Sequence, residues 1–410
     1  MNRSSLICRV TFTLAVALLI SPIAVAADWT RWLGPDQNGA SPEKRIFDRA
    51  TPELDVVWSR PLGLAYSGIA VASNKAVTMF GDGETDWLTA IDASSGEEVW
   101  RYRIDSMFPK VGGAHGGPLS TPVIEGGVVY ALGAKGQLFA VKLGDGSELW
   151  SVRIDKTLGA KQPQFGFTTT PLVADDVLFV QTGGPDGHSL TGLERETGKL
   201  LWSTGDEAVG YQSPILVELA GRKQIVAVTN TSVMGLAPED GTLLWRKPHA
   251  LVERNGWSTP LRIATNVFLL VERYESVAFE IGKNGDSFAV SELWRGKKLK
   301  NNLAAPVIHN GLIYGYSGDF LACVDARTGE QLWKTRSAAA GLILVDGHLV
   351  IFATDGAVVV AEASPEGYEE KARVKVSETA GYTFPSFSNG RIFVRNLDDI
   401  ARVDVVALQR

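Results

Sequence analysis

Cysteine is nearly absent: the 410 residues contain Cys8 and Cys323 and no other. Cys8 belongs to a segment unlike a folded domain. Arg3 and Arg9 precede an apolar run, Val10 to Ile20, that gives way to small residues around Ala24-Val25-Ala26. This is the pattern of a secretory signal with an A-x-A cleavage site, expected over residues 1–27. Cys8 lies before the apolar core rather than after it, so no lipid anchor is expected. Cleavage would leave Cys323 alone, which excludes an intramolecular disulfide even in an oxidising compartment. Long hydrophobic runs are also missing. The signal's own run falls short of the roughly 20 residues that cross a bilayer, and no later segment is longer.

Runs of basic charge are absent too. Forty Lys and Arg against 46 Asp and Glu give −6, and loss of Arg3 and Arg9 with the signal gives −8. Nucleic-acid binding needs clustered cations to displace counterions, so that class is set aside. Sustained i, i+3, i+4 apolar patterns are missing, which excludes a helical protein. No G-x-S-x-G, H-E-x-x-H or Walker-type loop occurs. His188, His249, His309 and His348 are scattered in turns and connections without metal-ligand spacing. Asp82-Gly83-Glu84-Thr85-Asp86 lacks the length and final acid of a calcium loop and is expected to be a solvated hairpin.

What is abundant is tryptophan, and it is periodic. Trp58, Trp100, Trp150, Trp202, Trp245, Trp294 and Trp333 follow one another at 42, 50, 52, 43, 49 and 39 residues, most closing a segment such as Gly-Glu-Glu-Val-Trp or Gly-Ser-Glu-Leu-Trp. A period of about 40–50 residues suits four-stranded propeller blades. Residues 119–154 show one unit clearly. Ser120 to Ile124 reads as a first strand, Gly126-Gly127 as a turn, and Val128 to Leu132 as a second strand. Gln137 to Leu143 is a third, Gly144-Asp145-Gly146 a tight hairpin, and Glu148 to Ile154 a fourth. The pattern recurs through Thr170-Pro171, Ser213-Pro214, Thr259-Pro260 and Ala305-Pro306. The first unit has Gly68 in place of the proline, and the seventh, residues 341–376, lacks the tryptophan.

The termini complete the count. Ser386-Phe387, Arg391 to Arg395 and Ile400 to Val405 are three strands without a fourth, while Asp55 to Arg60, with Trp58, is a fourth strand without a blade. Pairing them makes an eighth blade and removes the edges of an open ring. The expected fold is all-β, an eight-bladed β-propeller closed by its N- and C-terminal strands. Residues 28–410 are expected to form one domain, with 28–54 as a lead-in segment. The seven tryptophans are expected to fill wedges between blades, their N–H groups on backbone acceptors.

Ala90-Ile91-Asp92-Ala93-Ser94-Ser95-Gly96-Glu97-Glu98-Val99-Trp100 resembles the tryptophan-docking motif A-x-D-x-x-x-G-x-x-x-W of pyrroloquinoline-quinone (PQQ) repeat propellers. So does Cys323 to Trp333, with Cys323 or Ala322 near the first position. Trp29-Thr30-Arg31-Trp32-Leu33-Gly34-Pro35 is similar to the lead-in of exported bacterial members. The resemblance implies one of two activities. Quinoprotein alcohol dehydrogenases carry PQQ and calcium on the propeller axis; the outer-membrane β-barrel assembly factor is a scaffold without cofactor. This sequence has no adjacent Cys-Cys pair, no C-x-x-C-H and no large insertion to roof a cofactor, departures that weigh against the enzyme branch.

Propellers bind at their faces, so the connections entering each inner strand are the candidate sites. Tyr66, Phe167, Tyr211, Trp257 and Tyr382 sit a few residues before those strands and would form a broken aromatic ring around one mouth of the channel, unless they pack between blades. Gln164, Gln212, Arg254, Asn255, Lys300, Asn301 and Asn302 accompany them and suit a planar polar ligand or an extended peptide. His115, in Gly112-Gly113-Ala114-His115-Gly116-Gly117, is a candidate ligand or base. The reading favoured is a monomeric periplasmic or secreted propeller, not an enzyme, that binds an envelope protein or peptide without a cofactor. A small PQQ-dependent oxidoreductase with a divalent ion, and recognition of a carbohydrate by the aromatic ring, are the alternatives.

Overall fold

The computed structural model describes residues 27–47, 51–208, 210–248, 258–271, 274–285, 287–300, 304–379 and 381–406. The expected signal therefore lies, but for Ala27, outside the described residues.

Eight antiparallel four-stranded sheets follow one another as blades. Blade 1 runs Ala70–Ala72, Lys75–Gly81, Thr85–Asp92 and Glu98–Ser106. Blade 2 runs Val123–Glu125, Val128–Leu132, Gln137–Lys142 and Glu148–Arg153. Its first strand starts three residues later than the pattern suggests, because Pro122 has no N–H to give a ladder. Its last ends in one helical turn, Ile154–Thr157, where the sequence pattern continued the strand through Ile154. Blade 8 joins Ser386–Ser388, Arg391–Arg395 and Asp399–Val405 to Leu54–Pro61, with Leu54 opposite Val405 and Pro61 opposite Asp399. The inner strands of blades 1 to 4 touch in order, as do those of blades 6 and 7, and Ala70–Ala72 touches Ser386–Ser388, so the ring closes.

The repeat motif has a geometric explanation in each blade. In blades 1 to 6 the residue opposite the tryptophan on the neighbouring strand is small, as where Ala90 faces Trp100, Ala140 faces Trp150, Gly192 faces Trp202 and Cys323 faces Trp333, whereas in blade 8 Arg402 faces Trp58. A Cβ on Gly192 would lie 2.3 Å from Trp202. The aspartate caps the hairpin, as Asp92 Oδ1 accepts from the N–H groups of Ser94 and Ser95 at 2.9 and 2.8 Å. The glycine sits at positive φ under the tryptophan of the preceding blade. Indole N–H groups donate across the wedge, Trp58 to Ala93 O, Trp100 to Leu143 O, Trp150 to Arg195 O, Trp202 to Pro238 O, Trp294 to Ala326 O and Trp333 to Ser364 O. Trp245 departs from this: it donates to the side-chain Oε1 of Gln224 in its own blade at 2.7 Å. The outer hairpin of blade 5 is itself a long extended pair ending at Asn284 and Ser287.

A β-bulge precedes each tryptophan and, except at the half-buried Leu244, turns the residue before it outward. Val99, Leu149, Leu201, Leu293 and Leu332 are between 44% and 50% exposed for this reason. Blade 7 keeps the bulge without the indole, with Ala372 in the tryptophan position and Lys371 bulged.

Gly146 tests the wedge. It has φ +74, and a Cβ there would lie 2.6 Å from Trp100. Gly146→Ala is expected to cost about 2 kcal/mol, the sum of left-handed strain and overpacking. The denaturation midpoint measures it, and a change under about 0.5 kcal/mol would mean the indole is free to shift.

The lead-in does not lie outside the ring; it threads the channel. Trp29 exchanges two hydrogen bonds with Val71 in blade 1, and Thr30 O accepts from Ile124 N in blade 2. Trp32 Nε1 donates to Thr259 Oγ1 ahead of blade 5, and its ring meets Phe384 ahead of blade 8 edge-on at 4.7 Å. Gln37 donates to Pro214 O and accepts from Leu216 N in blade 4. Ala40–Ser41 adds a fifth, parallel strand to blade 7 against Leu344 and Val345, and Glu43 accepts from Asn389 and Gly390 in blade 8. A segment bonded to six blades within fifteen residues has to cross the axis. Most of these contacts fall toward the hairpin that ends each inner strand, so the lead-in occupies the turn-face side of the channel.

Candidate binding site at the connection-face mouth

In an antiparallel blade the hairpin after the inner strand and the outermost hairpin share one face. The connection to the next blade lies on the other. The second face carries the residues that the sequence picks out, and five successive connections meet there. Tyr382, between blades 7 and 8, is 46% exposed and packs its ring edge-on against Tyr66, between blades 8 and 1, at 5.8 Å. The Tyr66 hydroxyl accepts from the backbone N–H of His115, between blades 1 and 2, at 3.1 Å. Gly112 in the same loop lies against Phe165 and Gln164, between blades 2 and 3. Phe165 packs edge-on against Tyr211, between blades 3 and 4, at 5.8 Å.

The result is a continuous arc from Tyr382 to Tyr211. Burial pushes the Tyr211 phenol up from its ordinary value, opposed by the N–H groups of Phe165 and Gln164 that donate to its oxygen. The phenol therefore stays neutral and keeps its own proton to donate. Tyr66, Phe165 and Tyr211 are half-buried, while His115 and Gln164 are exposed. Rings with one wet edge beside main-chain and amide donors form a surface that stacks on planar groups and grips an extended chain.

Three predicted members among the described residues do not join the arc. Phe167 is 1% exposed and packs with Ile154 and Val173 between blades 2 and 3. It is Phe165, two residues earlier, that faces the mouth; Gly166 at φ +77 reverses the chain between them. The sequence Gln-Phe-Gly-Phe carries that signal, since two rings flanking a left-handed glycine point apart. Gln212 is 2% exposed, with both amide atoms lacking partners, and is turned into the wall rather than toward the mouth. Lys300 is half-buried and pairs through its backbone with Tyr316 and Gly318. Arg254, Asn255, Trp257, Asn301 and Asn302 lie outside the described residues, as does His249.

The solvated hairpin also needs correction. Asp82 is exposed and caps its turn, accepting from Glu84 and Thr85 N–H and from Trp87 Nε1, which holds its carboxyl below the usual range. Asp86 is instead 1% exposed, because the strand period of two turns it inward, where it accepts from Phe108 N–H at 3.0 Å.

Among the described residues no three His, Cys, Asp or Glu side chains converge as a metal site. Trp32 and Gln37 of the lead-in bond across the channel to the segments of blades 5 and 4.

A family model described as outer membrane protein assembly factor BamB matches residues 55–159, 84–323 and 317–408. The BamB of Moranella endobia is 23% identical over 73% of this chain and 72% of its own length. The crystal structure of BamB from Moraxella catarrhalis superposes with a TM-score of 0.65 at 16% identity, over 87% of this chain and 99% of that one. A quinohemoprotein alcohol dehydrogenase from Pseudomonas putida superposes with a TM-score of 0.64 at 13% identity, over 94% and 81%, which speaks to the fold alone. With nearly every blade covered by the matching model, the chain belongs to the family of outer membrane protein assembly factor BamB.

Proposed function

We propose that this protein is an exported, periplasmic scaffold that binds another envelope protein, or an extended segment of one, at the connection-face mouth. The observation that carries this reading is the arc Tyr382–Tyr66–Phe165–Tyr211. It is a partly exposed aromatic surface on the face opposite the one where the lead-in anchors most of its contacts. Its relatives are named for outer-membrane protein assembly, and a non-catalytic protein-binding role fits a surface that offers contact area and hydrogen-bond donors.

The test is site-specific photocrosslinking in the cell envelope from position 382, with position 389 on the turn face as control. A discrete adduct with an outer-membrane assembly protein from 382 alone is expected, together with its loss in Tyr66→Ala/Tyr211→Ala. Interface aromatics of this kind typically contribute about 2 kcal/mol each, so the double variant should weaken the complex more than a hundredfold. Equal adducts from both positions, or none, would remove the mouth from consideration. Titration with PQQ and calcium should leave the absorbance of the quinone unchanged; stoichiometric binding would favour the oxidoreductase reading instead.

A further inference from the structure

The lead-in does not fill its side of the channel. A cavity of about 620 Å³ remains between it and blades 4 to 6, lined among others by Arg31, Asp36, Leu216, Glu218 and Arg262. That volume is in the range of small-ligand sites. Asp36, Glu218 and Arg262 are exposed, and their side chains make no hydrogen bond or ion pair among the described residues. Arg31 donates one Nη2 to Glu125 at 2.5 Å, while its buried Nε has no partner. Arg262 on one side and Asp36 and Glu218 on the other thus face one space without an ion-pair partner among the described residues, and Arg31 adds a free Nε.

The wall of the cavity adds a second observation. Leu261–Ala264, the inner strand of blade 5, pairs with Val267–Val271 on one side only among the described residues. In four other blades the equivalent inner edge is already taken by peptide groups of the lead-in or by an amide standing in for one. These are Trp29 on Val71, Thr30 on Ile124, Gln37 on Pro214 and Leu216, and Ala40–Ser41 on Leu344–Val345. The blade-5 edge has no such occupant, and it is the edge beside the unpaired charges. An unfilled sheet edge takes an extended main chain, and paired charges of opposite sign take its two ends.

We propose that this cavity is a binding site for a short zwitterionic peptide. The peptide lies along Leu261–Ala264, with its carboxylate on Arg262 and Arg31 and its ammonium group on Glu218 and Asp36. The site is on the turn-face side of the channel, so it neither rests on the proposed scaffold role nor competes with it.

The experiment is calorimetric titration of the full mature protein with tetra-alanine, its N-acetylated form and its C-amidated form, and of the Arg262→Ala and Glu218→Ala variants with tetra-alanine. Saturable one-to-one binding is expected at micromolar to millimolar concentration, weakened about tenfold by each cap and by each variant, as for a charge-assisted contact. Absence of saturable heat up to millimolar peptide overturns the proposal. So does a loss smaller than about threefold for any of the four changes. Both side chains are exposed, so the fold should survive; Arg262→Gln and Glu218→Gln repeat the test if circular dichroism shows otherwise.

Discussion

Replacing Arg395 by methionine is expected to destabilise the folded ring by about 3–5 kcal/mol, because several buried acceptors lose their donor at about 1–3 kcal/mol each. Arg395 is 1% exposed, on the second strand of blade 8. Its guanidinium donates to Met79 O at 2.8 Å, Thr78 Oγ1 at 3.1 Å and Gly63 O at 2.9 Å, and more weakly to Asn396 O and Leu397 O. Methionine matches the length but leaves those carbonyls buried without donors. Burial pushes the guanidinium down to about 9, so it still carries its charge at neutral pH.

The position explains why so costly a group is there. Blades 8 and 1 meet at the seam between the two ends of the chain, where no covalent connection through the C-terminal strands holds them together. Arg395 bridges from those strands to blade 1 near the connection face. Arg402 does the same near the turn face, donating to Ala93 O at 3.1 Å and Ser94 O at 3.2 Å. The indole of Trp58 reaches Ala93 O as well. Guanidinium unfolding of the variant measures the effect. A loss below about 1 kcal/mol would show that the seam is held by apolar packing alone.

The second large effect is a pH dependence at Asp86. Burial pushes its carboxyl up to about 7, only partly offset by the Phe108 N–H and by Lys135, and reinforced by Asp105 and Asp82. One oxygen, Oδ1, has no partner. The folded state therefore holds the proton more tightly than the unfolded chain, whose aspartate titrates near 4. Stability from this group is fully present below about pH 4 and is lost as pH rises through 7, by up to roughly 4 kcal/mol. Asp86→Asn should flatten that slope, with a gain over the wild type that grows from about 1.5 kcal/mol at pH 5 to about 4 kcal/mol at pH 8. Thermal unfolding across that range decides it. Parallel pH profiles for the two proteins would mean that Asp86 is hydrated. Because Asp86 holds Phe108, at the root of the loop that carries His115 to Tyr66, the same titration reaches the rim of the proposed binding face.

The sequence was informative where the structure repeats. A tryptophan every 40 to 50 residues, a turn glycine four positions earlier and a small residue six before that are local demands imposed again in each blade. Repetition therefore made them visible. The eighth blade was legible for a related reason: three strands at one end and one at the other satisfy each other's edges. Even the exceptions, Ala372 for a tryptophan in blade 7 and Gly68 for a proline in blade 1, stand out against the repeat.

The proposed binding face was legible only in part. Tyr66, Tyr211 and Tyr382 follow from counting back from each inner strand, but Phe167 and Phe165 exchange places through a single left-handed glycine. A ring's direction depends on that torsion rather than on residue type. Asp86 likewise reads as part of a polar hairpin until the strand register turns it inward.

Residues 27–47 mark the boundary most clearly. By itself the sequence determined the all-β fold, the number of blades, the closure and the docking role of the tryptophans, because each depends on contacts within a blade or with the next one. Only the tertiary structure decided that the lead-in threads the channel, that Arg395 pins the seam, and that a charged cavity remains beside blade 5. Those features bring together residues up to about 350 positions apart, such as Glu43 with Gly390. Each such contact occurs once, so no repetition reveals it; it exists only after the ring has closed and given the channel an inside.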